Sequence, residues 1–339
     1  MYYSADVSDI AIRSGDPVRN LPNHPFGYLP DAGLVDAVNV ALILSKPLLV
    51  TGDPGTGKTQ LAFSIAWQLA SRQLLNVGTP DVERYYTKST STARDLFYTF
   101  DAIRRFQAGR LGDDNAAFIT YNALGRAMLR ALNFERVPAA VRPAVAHPIA
   151  TRTVVLVDEI DKAPRDFPND LLSEIEQMSF RIPEIGNVEI GGPEAPIADD
   201  LKPIVVVTSN SEKNLPDPFL RRCIYYHIPF PSRERLEQIL LLRLAQFSAT
   251  KGPLVNDALR FFGALRDRKV LQRQVSPAEL IDWVTFMLTR RANLNEPLKA
   301  ARGLAFEGLP CLTKSVTDQP VARAELEGFL DDSVAGTRH

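Results

Sequence analysis

Residues 52–59 read Gly52-Asp53-Pro54-Gly55-Thr56-Gly57-Lys58-Thr59, and this octapeptide decides the fold. It follows the apolar run Pro47-Leu48-Leu49-Val50-Thr51 and precedes Gln60-Leu61-Ala62-Phe63-Ser64-Ile65-Ala66, which has helical spacing. That strand–loop–helix context is what the pattern G-x-x-x-x-G-K-[ST] requires to form a phosphate-binding loop. Gly52, Gly55 and Gly57 let the backbone turn its N–H groups inward toward phosphate oxygens, and the following helix adds its positive end. In such a loop Lys58 serves the β- and γ-phosphates and the Thr59 hydroxyl ligates Mg²⁺. The cofactors expected are therefore a nucleoside triphosphate and Mg²⁺, with Asp53, Pro54, Gly55, Thr56, Gly57, Lys58, Thr59 and Gln60 as the nucleotide-contacting set.

The bulk numbers exclude several alternatives. With 339 residues the chain has room for about two domains on the usual length prior. Its 45% hydrophobic and 23% charged residues are those of an ordinary globular protein. A net charge of −1 gives no global pull toward nucleic acid or anionic membrane. Cys223 and Cys311 form neither a disulfide framework nor a metal cluster, and His24, His147, His227 and His339 show no metal-ligand spacing. No apolar run approaches a membrane span, and the first 20 residues lack the apolar core of a signal peptide. These features predict an intracellular, cytoplasmic protein.

Outward from the loop, residues 1–30 are polar and proline-punctuated, which predicts an extended N-terminal arm. Helical spacing resumes over 33–45, and Val82–Thr87 reads as a second strand. Residues 93–152 read as mostly helical, a longer excursion than a simple crossover requires. Apolar runs at 153–157 and 203–208 have the character of strands buried on both faces of a parallel sheet, and 224–228 supplies a fifth strand. Between the third and fourth runs, residues 179–190 read as a hairpin turning at Gly186-Asn187. After residue 231 strand signals stop and helical spacing takes over to about 302. The expected organisation is an arm over 1–30, an α/β nucleotide-binding core over 31–230, an all-α lid over 231–310, and a polar tail over 311–339 with one short helix.

The run Val154-Val155-Leu156-Val157 ends in Asp158-Glu159. An acid at the carboxyl end of a parallel strand faces the crevice where α/β folds bind ligands. Asp158 is placed to serve Mg²⁺ together with Thr59, and Glu159 to polarise an attacking water. With these residues in place the chain resembles the AAA+ ATPases, whose fold is a P-loop NTPase parallel sheet flanked by helices with a C-terminal helical lid. In that resemblance Val205-Val206-Val207-Thr208-Ser209-Asn210 matches the sensor-1 strand, and Asn210 would help orient the water. Pro218-Phe219-Leu220-Arg221-Arg222-Cys223 matches the arginine-finger segment, with Arg222 as first choice and Arg221 in reserve. Sensor 2 departs from the pattern: Gln272-Arg273-Gln274-Val275-Ser276-Pro277-Ala278 carries alanine after Ser-Pro, so Arg273 would have to stand in. The cluster Arg266, Arg268, Lys269 and Arg273 otherwise reads as a solvated lid face.

Within AAA+, Asp158-Glu159-Ile160-Asp161-Lys162-Ala163-Pro164 resembles the MoxR branch. The resemblance implies a ring-forming ATP hydrolase, a hexamer, that remodels or activates a protein client, with von Willebrand factor A domain proteins as the implied partners. The alternative is a motor subunit of a nucleic-acid-directed defence or nuclease complex, with GTP as a variant fuel. Near-neutral charge and the absence of a zinc finger or basic-aromatic interleave count against nucleic acid.

Overall fold

The computed structural model describes residues 1–10, 25–107, 115–144, 149–193, 195–210, 215–244, 247 and 251–332. The chain divides into two compact units. One comprises Met1–Ile12, Pro30–Gly52 and Lys58–Ile228; the other comprises Arg13–Leu29, Asp53–Gly57 and Pro229–His339.

The first unit is built on a five-stranded parallel sheet. Its strands are β1 (Leu48–Gly52), β2 (Val77–Tyr86), β5 (Arg152–Asp158), β8 (Ile204–Thr208) and β9 (Ile224–Ile228), arranged in the order β2-β5-β8-β1-β9. All residues of β1, β5 and β8 are buried, which is why these segments are near-continuous apolar runs rather than alternating ones. The parallel register places Tyr86 opposite Asp158, Val157 opposite Val207, Val50 opposite Thr208, and Gly52 opposite Ile228. The carboxyl ends of all five strands therefore line one edge, at which the phosphate loop leaves β1.

Helices α1 (Ala32–Leu44), α2 (Lys58–Ser71), α4 (Ala123–Arg130), α5 (Phe167–Gln177) and α6 (Asp217–Arg222) accompany this sheet, with the short α3 (Ala102–Gln107) in the excursion. Asp31 caps α1 by accepting from the Leu34 amide at 2.8 Å. The hairpin expected before the fourth core strand is present as β6 (Phe180–Ile182) paired antiparallel with β7 (Val188–Ile190).

Three expectations need correction. The excursion after β2 is not mostly helical. It holds a second antiparallel pair, β3 (Tyr98–Phe100) with β4 (Ile119–Tyr121), whose three-residue strands are too short to show periodicity. Nor is the N-terminal segment wholly an arm. Tyr3 is fully buried, its hydroxyl shares a hydrogen bond with Ser64 Oγ, and Asn39 Oδ1 accepts from the Tyr2 and Tyr3 amides. Residues 11–24 of the expected arm lie outside the described set. Finally, residues 311–332 are not a separate tail, for Leu312, Ala322, Leu326 and Leu330 share the apolar cluster of the helical unit.

That unit contains α7 (Arg233–Arg243), α8 (Pro253–Asp267), α9 (Pro277–Thr289), α10 (Arg302–Glu307) and α11 (Asp318–Asp332). Ala322, Leu326 and Leu330 of α11 pack in one apolar cluster with Phe261, Phe262, Trp283 and Val284. The i, i+4, i+8 spacing of the three α11 residues puts them on one face. Among the described residues, no helix is long and apolar enough to cross a membrane.

Gly125 shows how closely the first unit is packed. A Cβ there would sit 2.0 Å from the Phe97 carbonyl oxygen, which already accepts from the Asn122 amide at 2.8 Å. Gly125→Ala should therefore destabilise by about 1–3 kcal/mol, overpacking outweighing the better helix propensity of alanine. Gly328→Ala, with open space around the added carbon, should instead stabilise by about 0.5–1 kcal/mol. Thermal melts of the two variants should shift in opposite directions.

Candidate functional site

The site assembles where β1, β5 and β8 end. The loop leaving β1 holds Gly52, Gly55 and Gly57 at φ of 148°, 77° and 91°, a left-handed backbone that a side chain would strain. Thr56 Oγ1 donates to the Asp53 carbonyl at 2.8 Å, closing the turn. Lys58 opens α2 with its side chain buried, and its Nζ donates to the Gly52 carbonyl at 2.7 Å.

Asp158 is 4% exposed and is met by two hydroxyls. Thr59 Oγ1 donates to Oδ1 at 3.0 Å, and Thr208 Oγ1 donates to the same oxygen at 2.6 Å. The Thr208 hydroxyl also accepts from the Glu159 amide at 3.0 Å, so one threonine aligns both acids. Glu159 takes a left-handed backbone at φ 58°, turning it out of the strand direction, and its carboxylate pairs with Lys162. That hydrogen bond, then the carboxylate charge, holds the Lys162 ammonium above its ordinary pKa. Asp161 accepts from Ser209 Oγ and from the Asn210 amide, each at 3.1 Å, which ties the turn after β5 to the turn after β8.

The residues fit a magnesium nucleotide on the chemistry of their donors. Thr59 and Asp158 present hard oxygens to one cation, as Mg²⁺ prefers when substrate phosphates complete its shell. The glycines permit the positive-φ backbone by which a loop turns its N–H groups toward phosphate oxygens, and Lys58 adds a point charge.

Of the expected site residues, Lys58, Thr59, Asp158, Glu159 and Asn210 gather at this edge. Arg222 does not. It ends α6 immediately before β9, whose Ile224 pairs with Leu48, the first residue of β1. Arg222 thus lies at the opposite end of β1 from the phosphate loop, roughly 16 Å away at about 3.3 Å per strand residue. Its Nε stands 3.4 Å from Glu176 Oε1 in an exposed pair of little energetic weight. Arg273, in the helical unit, is exposed, and its backbone amide donates to Asp318 at 3.3 Å.

Arg266 corrects the reading of a solvated lid face. Its Nη1 donates to the Val275 carbonyl at 2.6 Å, its guanidinium carbon is 3.4 Å from the Phe230 ring centroid, and Nη2 is 3.5 Å from Asp53 Oδ2. Ser276 also abuts the loop segment, for a Cβ on Gly55 would fall 2.9 Å from its side chain. Sequence reasoning also missed Thr208 as a ligand-aligning residue. The available signal was a polar residue ending an otherwise apolar strand.

The sequence matches the AAA domain family, dynein-related subfamily, over residues 47–223, just over half of the chain. No curated protein matches it. Among solved structures it is similar to the Thermotoga maritima RuvB Holliday junction branch migration motor, at 14% identity, 81% coverage of this chain, and a TM-score of 0.41. The chain spans 65% of that motor's length. A P216G mutant of the same RuvB matches at 16% identity, covering 82% of this chain and 67% of that one, with a TM-score of 0.44. The FIGL-1 AAA domain in complex with ADP matches at 16% identity, covering 84% and 78%, with a TM-score of 0.36. With a P-loop and a strand-end acid pair inside the matched range, the chain belongs to the AAA-domain family of P-loop ATPases, in its dynein-related subfamily.

Proposed function

We propose that this protein is a MoxR-like AAA+ ATPase that works as a ring, coupling ATP hydrolysis to the remodelling or activation of a protein partner. The observation that carries the hydrolytic part is the convergence of Thr59 and Thr208 on Asp158 with Glu159 adjoining. Bound Mg²⁺ would supply neutralisation of charge on the phosphates. The loop amides and Lys58 bind and orient the phosphates, and Thr59 and Asp158 hold the cation. Glu159 takes the proton of the attacking water, and Asn210 helps position that water.

The placement of Arg222 supports the ring. An arginine at the far end of β1 is remote from its own phosphate loop, so a finger role requires a neighbouring copy. The MoxR assignment is supported by the Asp158–Pro164 run and by the β6–β7 hairpin ahead of β8. A von Willebrand factor A domain protein is the client this reading expects.

The test is phosphate release with ATP and with GTP, in Mg²⁺ and in EDTA, for wild type and Lys58→Ala. Turnover should require Mg²⁺ and fall below detection in the variant, with nucleotide affinity also reduced. Turnover equal in Lys58→Ala would sink the assignment. Co-purification with mass spectrometry then identifies the client, and recovery of a nuclease subunit would replace the remodelling role with a nucleic-acid-directed one.

A further inference from the structure

Asp158 has a third partner that the nucleotide reading leaves unexplained. Beside Thr59 and Thr208, the Arg84 guanidinium closes on Oδ2 through Nη2. Parallel register brings it there: Arg84 lies opposite Leu156 and Tyr86 opposite Asp158, and residues 84 and 86 share one face of β2. The bland account is a permanent counter-ion for a buried acid, and the details of its seat argue otherwise. Arg84 Nε is buried with no hydrogen-bond partner, whereas a lasting arginine–carboxylate pair tends to use its fork on both oxygens. The arginine side chain retains 28% exposure, and its guanidinium carbon stands 4.0 Å from the centroid of the half-exposed Tyr86 ring. A cation has a second favourable seat over such a ring.

We infer that Arg84 is a displaceable counter-ion of the metal site, covering Asp158 when no divalent cation is bound and yielding Oδ2 when one arrives. The inference rests on the reading of Asp158 as the metal ligand. An incoming cation then displaces a positive charge rather than water alone, which weakens its apparent affinity. In return, Asp158 is never left as an uncompensated buried charge, a costly state. Arg84 keeps its place over Tyr86 after release, so the exchange requires side-chain rotation and no change in the sheet.

Binding of Mn²⁺, as a spectroscopic substitute for Mg²⁺, can be titrated by electron paramagnetic resonance on the full chain with ADP present. Arg84→Ala and Arg84→Gln should each bind Mn²⁺ roughly fivefold more tightly, the upper range for an ion pair with a partly exposed partner. Both should melt earlier than wild type in EDTA, with the deficit removed by Mn²⁺. Arg84→Lys keeps the competing charge and should stay near wild type. If Arg84→Ala fails to fold, the glutamine and lysine variants carry the comparison. Unchanged or weaker Mn²⁺ binding in the neutral variants, with Asp158→Asn abolishing binding, would overturn the inference while leaving the metal site intact. Mn²⁺ binding to Asp158→Asn at wild-type strength would overturn the metal assignment itself.

Discussion

Mixtures of Arg222→Ala and Lys58→Ala protein should hydrolyse ATP although neither parent does so at a comparable rate. The expectation comes from the separation of Arg222 from the phosphate loop along β1. If the arginine stabilises charge on a neighbour's phosphates, its loss should reduce turnover by about 10³–10⁵-fold with ATP binding nearly intact. Lys58→Ala fails for a different reason, since it weakens the phosphate cradle while leaving the finger. In a mixed ring, some interfaces pair an intact loop with an intact finger, and those interfaces should work. Co-assembly is established first, by pull-down of differently tagged variants, and phosphate release is then measured against mixing ratio. Rescue by Arg221→Ala mixtures in place of Arg222→Ala would move the finger by one residue. Co-assembly without rescue by either would end the case for trans action in α6.

Glu159→Gln should keep nucleotide binding and lose turnover by about 10²–10⁴-fold, the usual contribution of a general base. The amide is nearly isosteric, and the Glu159 amide bond to Thr208 is a backbone contact the substitution leaves alone. The change removes the carboxylate that accepts the proton of water and that pairs with Lys162. Both partners of that pair are substantially exposed, so its removal should cost little stability. Hence the melting temperature should stay near wild type as the rate collapses. This combination separates a chemical role from a structural one. With ATP bound and trapped, the glutamine variant should also shift to a ring-sized species by light scattering. Wild-type turnover in this variant would remove Glu159 from the mechanism.

How much of this is legible in the sequence depends on whether the determining contacts are local. The phosphate loop is eight contiguous residues, and its geometry follows from glycine and lysine at fixed spacing. The strands β1, β5 and β8 can be read because burial on both faces demands unbroken apolar runs. The β6–β7 hairpin announces itself through Gly186-Asn187, both of which adopt positive φ. By contrast, β2 starts at Val77, five residues before its apolar-aromatic part. Pro80 and Asp81 obscure that start, and the register shifts between Val77 and Val82, which an edge strand tolerates. Thr208 and Arg84 escape assignment because their proximity to Asp158 depends on strand order, a non-local property. Tyr3 is hidden for a related reason: its partners Asn39 and Ser64 lie 36 and 61 residues away. Arg266 is easily misread because a charge cluster in sequence says nothing of which member turns inward over Phe230.

The strand order also constrains how the chain can be made. Strand β1 lies between β8 and β9, and its completing neighbour begins about 170 residues further along. On a ribosome adding about 5–20 residues per second, β9 follows β1 by roughly 10–35 s. Through most of that interval Leu48, Leu49 and Val50 have no native strand to pair with, and the segment that later cradles phosphate has no fixed base. Vectorial synthesis therefore leaves the first core strand of the nascent chain waiting longest. Fragments released before residue 204 would carry this strand unpaired on both edges, a template for cross-chain pairing. Holding chaperones would have their greatest effect on this protein during elongation, before its last core strand emerges.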